Sequence, residues 1–134
     1  MLDNEYVNSE YGFTMTMPDY WINRTVIIQS DVYDDNVDST NAIDHIIFYN
    51  KYLYDNGDLS SAFLFWLEIY DVENFDESVL QANPSAYVLL KSDKYVIIAV
   101  KRTGAGIIDN EIGAEQWKEM DSGIDDVFAS FSIT

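Results

Sequence analysis

The sequence predicts an α+β fold with a central, largely antiparallel sheet of about six strands, covering helices and a long C-terminal amphipathic helix. Three observations support this prediction. Short apolar segments with strand period fill most of residues 13–102, the apolar spacing becomes helical after residue 113, and no linker or repeat divides the 134 residues. Strands followed by one or two covering helices are typical of an antiparallel sheet. We therefore expect a single domain over residues 1–134.

The first strand is defined by alternation. In "GFTMTMP", Phe13, Met15 and Met17 alternate with threonines, which predicts a strand with one buried face. Gly12 interrupts the preceding segment, and Pro18 ends the strand because proline has no N–H to donate to a sheet. The pattern then predicts a strand over 24–32, an acidic loop over 31–41 and a strand over 42–54.

The middle of the chain predicts the interior of the sheet. Asn56-Gly57 is the strongest turn signal. The segment 60–72 that follows is apolar on most of both faces and is interrupted by Glu68, so we expect it to be an inner strand with both sides covered. Beyond it we expect a short helix within 74–81, a hairpin over 86–102 that turns at 91–94, and a connection over 104–113.

The C-terminal segment has helical spacing. Its apolar residues predict one buried face of an amphipathic helix. Gly123 costs about 1 kcal/mol relative to alanine in a helix, so we expect any break to occur there. The predicted stripe consists of Trp117, Met120, Ile124, Val127, Phe128 and Phe131.

Composition limits the classes of partner. The chain has 7 Lys and Arg against 24 Asp and Glu, a net charge of −17, which opposes binding to nucleic acid and to anionic membrane surfaces. Cations, basic proteins and neutral ligands remain candidates, and the simplest role of the charge is solubility. The absence of cysteine excludes disulfides and cysteine-bound zinc. No apolar stretch approaches the roughly 20 residues of a membrane span, and the N-terminal residues do not resemble a signal peptide.

The acidic loop is the candidate metal site. Asp34-x-Asn36-x-Asp38 matches the first ligand positions of a Ca²⁺-binding EF-hand loop. Ser39 then stands where that loop needs glycine, and His45 stands where it needs glutamate. A looser Ca²⁺ site is the functional hypothesis, and a solvated acidic loop is the alternative. The candidate ligands are Asp31, Asp34, Asp35 and Asp38.

Two further residues are candidates for catalysis. His45 is the one histidine, and no nucleophile motif accompanies it, so we interpret it as an ordinary sheet residue. Glu68 lies among apolar neighbours, where a carboxyl group can serve in acid/base chemistry with a second acid. The favoured alternative is that Glu68 faces the rim of the sheet or pairs with Arg102 or Lys101.

The two ends of the chain resemble a known family. Tyr6-x-Asn8-x-x-Tyr11-Gly12-Phe13-x-Met15-x-Met17-Pro18-x-x-Trp21 resembles the start of PsbP-like domains, and "DDVFASFSI" (125–133) resembles their ending. The resemblance implies an α/β/α sandwich. The family includes the extrinsic photosystem II protein, a nuclear-transport factor that binds the GTPase Ran, and exported bacterial proteins of unassigned role. Extracytoplasmic localisation is implied by the resemblance alone.

The aromatic residues of the opening stretch have two interpretations. Tyr11 and Phe13 are expected to share one strand face, and Trp21 is expected to close the end of the core. The alternative is an exposed Tyr/Trp platform that stacks a sugar or a peptide. We favour burial, because aromatic residues at strand period are usually buried.

These observations predict a non-catalytic binding or accessory domain of an exported bacterial protein, with no cofactor other than the candidate Ca²⁺. The expected interaction surfaces are the loop 31–41 and the connection 104–113, because loops on a rigid sheet commonly carry function. The charge favours a basic protein partner. The alternatives are a carboxylate-dependent hydrolase that uses Glu68, a carbohydrate-binding module, and a homodimer that covers excess aromatic surface.

Overall fold

The computed structural model describes residues 4–30, 42–82, 86–101 and 108–134. An α+β fold with antiparallel sheets is confirmed. In place of one sheet of six strands there are two sheets, of three strands (β1-β2-β8) and five strands (β3-β4-β5-β7-β6). The strands are β1 (Glu5–Asn8), β2 (Phe13–Thr16), β3 (Thr25–Ser30), β4 (Asp44–Asn50), β5 (Phe63–Asp71), β6 (Ala86–Lys91), β7 (Tyr95–Lys101) and β8 (Ser132–Ile133). The helices are α1 (Lys51–Asp55), α2 (Leu59–Ala62), α3 (Ser78–Ala82), α4 (Glu111–Asp121) and α5 (Ile124–Ala129), with 3₁₀ turns at Asp19–Trp21 and Val72–Asn74.

The chain divides into two compact units, each built from separate segments. The first unit comprises Met1–Val26, Tyr49–Ala62 and Ala105–Thr134, and the second comprises Ile27–Phe48 and Phe63–Gly104.

The opening stretch forms the three-stranded sheet of the first unit. β1 and β2 pair with Tyr6 opposite Met15, and β2 and β8 pair with Phe13 opposite Ile133. The predicted burial of Phe13, Met15, Met17 and Trp21 is confirmed.

The expectation that Tyr11 shares a strand face with Phe13 is wrong. Tyr11 lies in the turn before β2. The Asn8 side chain closes this turn by accepting the Tyr11 N–H, and Gly12 adopts a φ of +74° that glycine tolerates. The strand therefore begins only at Phe13.

The predicted strand over 42–54 is correct only as far as Asn50. There the Asn50 side chain accepts the N–H of Leu53 at 3.0 Å and caps α1, which starts a helix despite the strand-forming aromatic residues of the segment. The predicted turn at Asn56-Gly57 is present and ends α1, with Gly57 at a φ of +82°.

The five-stranded sheet has β5 at its centre, as the apolar pattern predicts. Phe65, Leu67 and Ile69 are fully buried on one face of β5, and Leu64 and Tyr70 are fully buried on the other. The predicted short helix is confirmed as α3, and the predicted hairpin is confirmed as β6 paired antiparallel with β7.

The C-terminal helical segment is divided, as expected, at Gly123. α4 ends at Asp121 and α5 begins at Ile124. A Cβ atom on Gly123 would lie 2.4 Å from Tyr20 Oη, so glycine also allows this close approach. The predicted apolar stripe is buried from Trp117 to Phe128. Its last member, Phe131, follows α5 and stacks on Phe13 with ring centroids 5.0 Å apart.

None of the helices described here is both long enough and apolar enough to cross a membrane.

Candidate functional site

The predicted calcium ligands are not among the described residues. Asp31, Asp34, Asp35 and Asp38 all fall within the range 31–41, which lies outside them, so the Ca²⁺ site stays a prediction. Within the described ranges, no three His, Asp or Glu side chains are grouped so that they could hold a metal ion.

Glu68 is buried and accepts two hydrogen bonds. Its side chain is only 5% exposed. Trp66 Nε1–H donates to Oε2 at 2.6 Å, and the Tyr70 hydroxyl donates to Oε1 at 2.5 Å. The three residues alternate along β5 and therefore share one face. Each carboxylate oxygen thus has a fixed donor from a neighbour on the same strand.

Apolar side chains of the five-stranded sheet surround this carboxylate. On the adjacent strand β7, Val96, Ile98 and Val100 lie opposite Tyr70, Glu68 and Trp66 respectively. These valines and the isoleucine are buried with Tyr70 in one hydrophobic cluster. The partly buried residues that pack on it are Ala42, Trp66, Val72, Phe75, Leu80 and Ala86.

The favoured interpretation of Glu68 as a rim residue is therefore wrong. Lys101 is not its partner either, because Lys101 is paired with Phe65 and so lies on the opposite face of the sheet. Arg102, the other proposed partner, falls outside the described ranges. Two donors within its own strand stabilise the buried carboxylate, and pairing with Arg102 stays a prediction.

His45 is a buried residue of β4, in agreement with the interpretation as a sheet residue. Its neighbour Asp44 is also buried and is held by two donors. The backbone N–H of His45 donates to Asp44 Oδ1 at 2.9 Å, and Gln29 Nε2 on β3 donates to Oδ2 at 2.7 Å. Both carboxylate oxygens of Asp44 thus accept a hydrogen bond, and the bond from Gln29 links the neighbouring strands β3 and β4.

The first unit contains an open groove of about 420 Å³, which we call the acidic groove. The described residues that line it include two aspartates, an asparagine, a serine and a threonine, and none of these described residues is cationic. The lining residues are Asn4, Thr16, Met17, Pro18, Asp19, Asp126 and Ser130.

One wall of the acidic groove comes from the opening stretch. Pro18 ends β2 and leads into the 3₁₀ turn that carries Asp19. Asn4 holds this wall in place, because its Nδ2 donates to Met17 O at 2.6 Å and to Asp19 Oδ1 at 3.3 Å.

The other wall comes from the end of the chain. Ser130 Oγ accepts the Thr16 N–H at 2.7 Å and directs its own hydrogen to the carbonyls of Thr16 and Val127, at 3.0 and 2.6 Å. This hydroxyl continues the β2–β8 pairing beyond the last backbone pair. It fixes the end of α5, on which Asp126 is exposed.

The acidic groove has the chemistry of a cation receptor. Carboxylate, amide and hydroxyl oxygens accept hydrogen bonds from ammonium and guanidinium groups. Asp126 accepts no side-chain hydrogen bond within the described residues, and Asp19 accepts one long bond from Asn4. Both carboxylates therefore retain acceptor capacity for a ligand.

A second, smaller pocket of about 210 Å³ in the same unit has mixed charge. Arg24 and Lys51 both line it, but each pairs with an acid of the chain. Arg24 Nη1 lies 3.0 Å from Glu119, and Lys51 Nζ lies 2.5 Å from Asp55. The positive charges are already compensated, which weakens this pocket as a site for anions. Its remaining lining residues are Asn23, Tyr52 and Gln116.

The aromatic residues bear on the carbohydrate-binding alternative. Trp21 and Trp117 are buried, and Trp66 is half-buried against Phe63. Of the described aromatic residues, only Tyr87 on β6 is classed as exposed. A tryptophan platform is therefore not formed by these three side chains.

Comparison with known proteins returned no match from family models, curated proteins or solved structures.

The acidic groove was not predicted from the sequence. Asp19 lies in the opening stretch, and Asp126 and Ser130 lie in the C-terminal segment. Because these segments are far apart along the chain, no local pattern signals that they lie close together.

Proposed function

We propose that this chain is a non-catalytic binding domain whose acidic groove recognises a cationic segment of a partner protein. The lining of the groove carries the proposal, because it holds two exposed aspartates and several other residues with hydrogen-bond acceptors, and no lysine or arginine is among its described residues. The net charge of −17 adds a field that steers basic partners toward the domain.

The non-catalytic part of the proposal rests on Glu68. A general acid or base must reach the reacting group, directly or through one water. Both oxygens of Glu68 instead accept hydrogen bonds from Trp66 and Tyr70 in apolar surroundings. A hydrolase built on Glu68 would have to break these bonds, so we rank binding above catalysis.

The biological setting of the proposal comes from the resemblance to PsbP-like domains. The segments that carry it pack together in the first unit, with Phe13 stacked on Phe131 and Thr16 bonded to Ser130. The same segments form the walls of the acidic groove. We therefore propose a PsbP-like accessory domain of an exported bacterial protein, with its partner bound between these two segments.

Binding of a cationic peptide tests the proposed function. A short, capped peptide of alternating lysine and arginine is titrated into the full chain and its Kd is measured by calorimetry, with a glutamate peptide of equal length as the control ligand. The double variant Asp19→Asn/Asp126→Asn removes both groove carboxylates and should weaken binding about tenfold, or about 1.4 kcal/mol. Raising the salt concentration should weaken binding further.

A matched variant separates a local site from general attraction. Glu73→Gln/Asp93→Asn removes the same charge from two exposed residues of the second unit. We expect it to change the Kd less than about twofold, since neither residue lines the acidic groove and exposed charges are screened by salt. Equal losses for both double variants would contradict a site at the acidic groove.

A further inference from the structure

Three of the seven positive charges of this acidic chain lie in one hairpin. The β6–β7 hairpin, Ala86–Lys101, contains three lysines (Lys91, Lys94 and Lys101) and one aspartate, Asp93. Its net charge is therefore +2, and the rest of the chain carries −19, as follows from the total of −17. The hairpin therefore carries a net charge opposite in sign to that of the rest of the chain.

β6 forms one edge of the five-stranded sheet. It is the last strand in the order β3-β4-β5-β7-β6, and its described pairing is with β7 alone. An edge strand presents alternate backbone N–H and C=O groups outward, where another strand can pair with them. The register shifts between Val88 and Leu90, which marks a bulge in the middle of the edge.

The side chains along this edge are apolar and exposed. Tyr87 is 53% exposed and Val88 is 45% exposed, on opposite faces of β6. From Ala86 to Leu90 the strand has no charged residue, and Lys91 is the first. A strand added here would cover apolar surface on both faces of the sheet.

We propose that the outer edge of β6 binds an extended, acidic segment of another protein as an additional antiparallel or parallel strand. Backbone pairing supplies the affinity, and Tyr87 and Val88 pack against alternate side chains of the bound segment. Lys94 pairs with its carboxylates, and Lys91 does so by exchanging its exposed ion pair with Glu77, in which Lys91 Nζ lies 3.6 Å from Glu77 Oε1. This interaction surface is separate from the acidic groove and does not depend on the proposed function.

Charge selects an acidic segment over a second copy of this chain. In a symmetric dimer through β6, two hairpins of net charge +2 would face one another, and like charges at an interface are unfavourable. Nucleic acid also carries negative charge, but a domain with −19 outside the hairpin repels a long phosphate backbone.

A strand-forming acidic peptide tests the proposal on the full chain. The probe is a short, capped peptide of alternating glutamate and valine that carries a fluorophore, and anisotropy gives its Kd. A peptide with proline in place of two valines keeps the charge but cannot pair as a strand. We expect the proline peptide to bind at least about tenfold more weakly, because backbone pairing supplies the affinity. Equal binding of the two peptides would overturn strand addition.

Two variants test whether the peptide binds at β6. Val88→Thr keeps the β-branched shape and removes apolar contact, and Lys91→Glu reverses one charge of the hairpin. Each should weaken binding by roughly fivefold or more. Lys118→Glu makes the same charge reversal at an exposed position of α4, and it should change the Kd less than about twofold. Thermal unfolding of each variant verifies that the fold is intact.

Two other results would overturn the proposal. If Lys91 and the bulge serve only to protect the edge from pairing, neither peptide binds in the micromolar range. If the chain dimerises in analytical ultracentrifugation and Val88→Lys abolishes the dimer, the edge is occupied by a second copy.

Discussion

Glu68 holds its carboxylate in apolar surroundings with two aromatic donors from its own strand. Trp66 and Tyr70 stand two residues before and after it and bond to one oxygen each. These hydrogen bonds require only that the three residues alternate along β5, because the period of two brings their side chains to one face of the strand. The arrangement W-x-E-x-Y is therefore a local motif that supplies one hydrogen-bond donor to each oxygen of a buried acid.

The cost of removing this acceptor is the first prediction. Glu68→Leu leaves the Trp66 N–H and the Tyr70 hydroxyl without their acceptor and should lower the free energy of unfolding by about 2–4 kcal/mol. Adding Tyr70→Phe removes one of the donors that Glu68→Leu leaves without an acceptor. The double variant should therefore lose less free energy of unfolding than the sum of the losses in the two single variants. Chemical denaturation measures all three. Additive costs would mean that these hydrogen bonds contribute little.

The pKa of Asp76 leads to a prediction about how the stability of the fold depends on pH. The backbone N–H of Ser78 donates to Asp76 Oδ1 at 2.9 Å. This bond, and next the Ser78 hydroxyl, lower the pKa of Asp76 below its usual 3.8. A lowered pKa in the folded state means that the carboxylate stabilises the fold above the unfolded pKa and loses that effect as the pH falls through the folded value.

NMR titration of the Asp76 carboxyl carbon tests this direction. The wild-type midpoint should lie below 3.8. Ser78→Ala should raise the midpoint only part of the way, because the backbone bond is the larger cause and remains. A return to the ordinary value in Ser78→Ala would assign the shift to the hydroxyl instead. Asp76→Asn should reduce the loss of stability in acid.

At the scale of elements, α4 approaches α1 through a glycine. A Cβ atom on Gly113 would lie 2.2 Å from Leu53 Cδ2 and 2.6 Å from Leu53 Cγ. Both residues are buried. The close approach also brings Asn50 Nδ2 within 3.1 Å of Gln116 Oε1 on α4. Glycine at this position therefore sets the distance between the two helices.

This packing predicts the effects of three variants. Gly113→Ala should destabilise the protein by about 1–3 kcal/mol through overpacking, and Leu53→Ala by about 2–5 kcal/mol through the cavity it leaves. The double variant should cost less than the sum, because the new methyl group enters the space that Leu53 vacates. Thermal or denaturant unfolding measures the coupling, and an additive result would contradict the contact.

Elements with a clear hydrophobic pattern over many residues are predictable from this sequence, whereas a helix that starts at a single capping side chain is not. The inner strand β5 and the β6–β7 hairpin follow from nearly continuous apolar runs rich in strand-forming residues. The helix α1 does not, because its aromatic residues favour a strand and one side chain, Asn50, starts the helix. The division of the C-terminal helix follows from Gly123, where tertiary packing against Tyr20 reinforces its low helix propensity.

At the scale of the molecule, the candidate sites arise from residues that are distant in sequence. The acidic groove joins Asp19 from the opening stretch to Asp126 from the ending, and no local pattern links the two. The charge imbalance, by contrast, is evident from composition, and it favours cationic ligands without indicating where on the molecule they would bind. The net positive charge of the β6–β7 hairpin can also be counted from the sequence, but its relevance to binding depends on β6 being an edge strand of the sheet.

Chemical-shift mapping on the full chain shows whether a cationic segment binds at the acidic groove. The capped lysine/arginine peptide is titrated into uniformly ¹⁵N-labelled protein while amide shifts are followed. Binding at the groove predicts that the largest saturable shifts occur at Thr16, Asp19, Asp126 and Ser130, and that they are lost in Asp19→Asn/Asp126→Asn. Small, non-saturating shifts spread over all exposed acids, or saturable shifts confined to residues outside the groove, would contradict it.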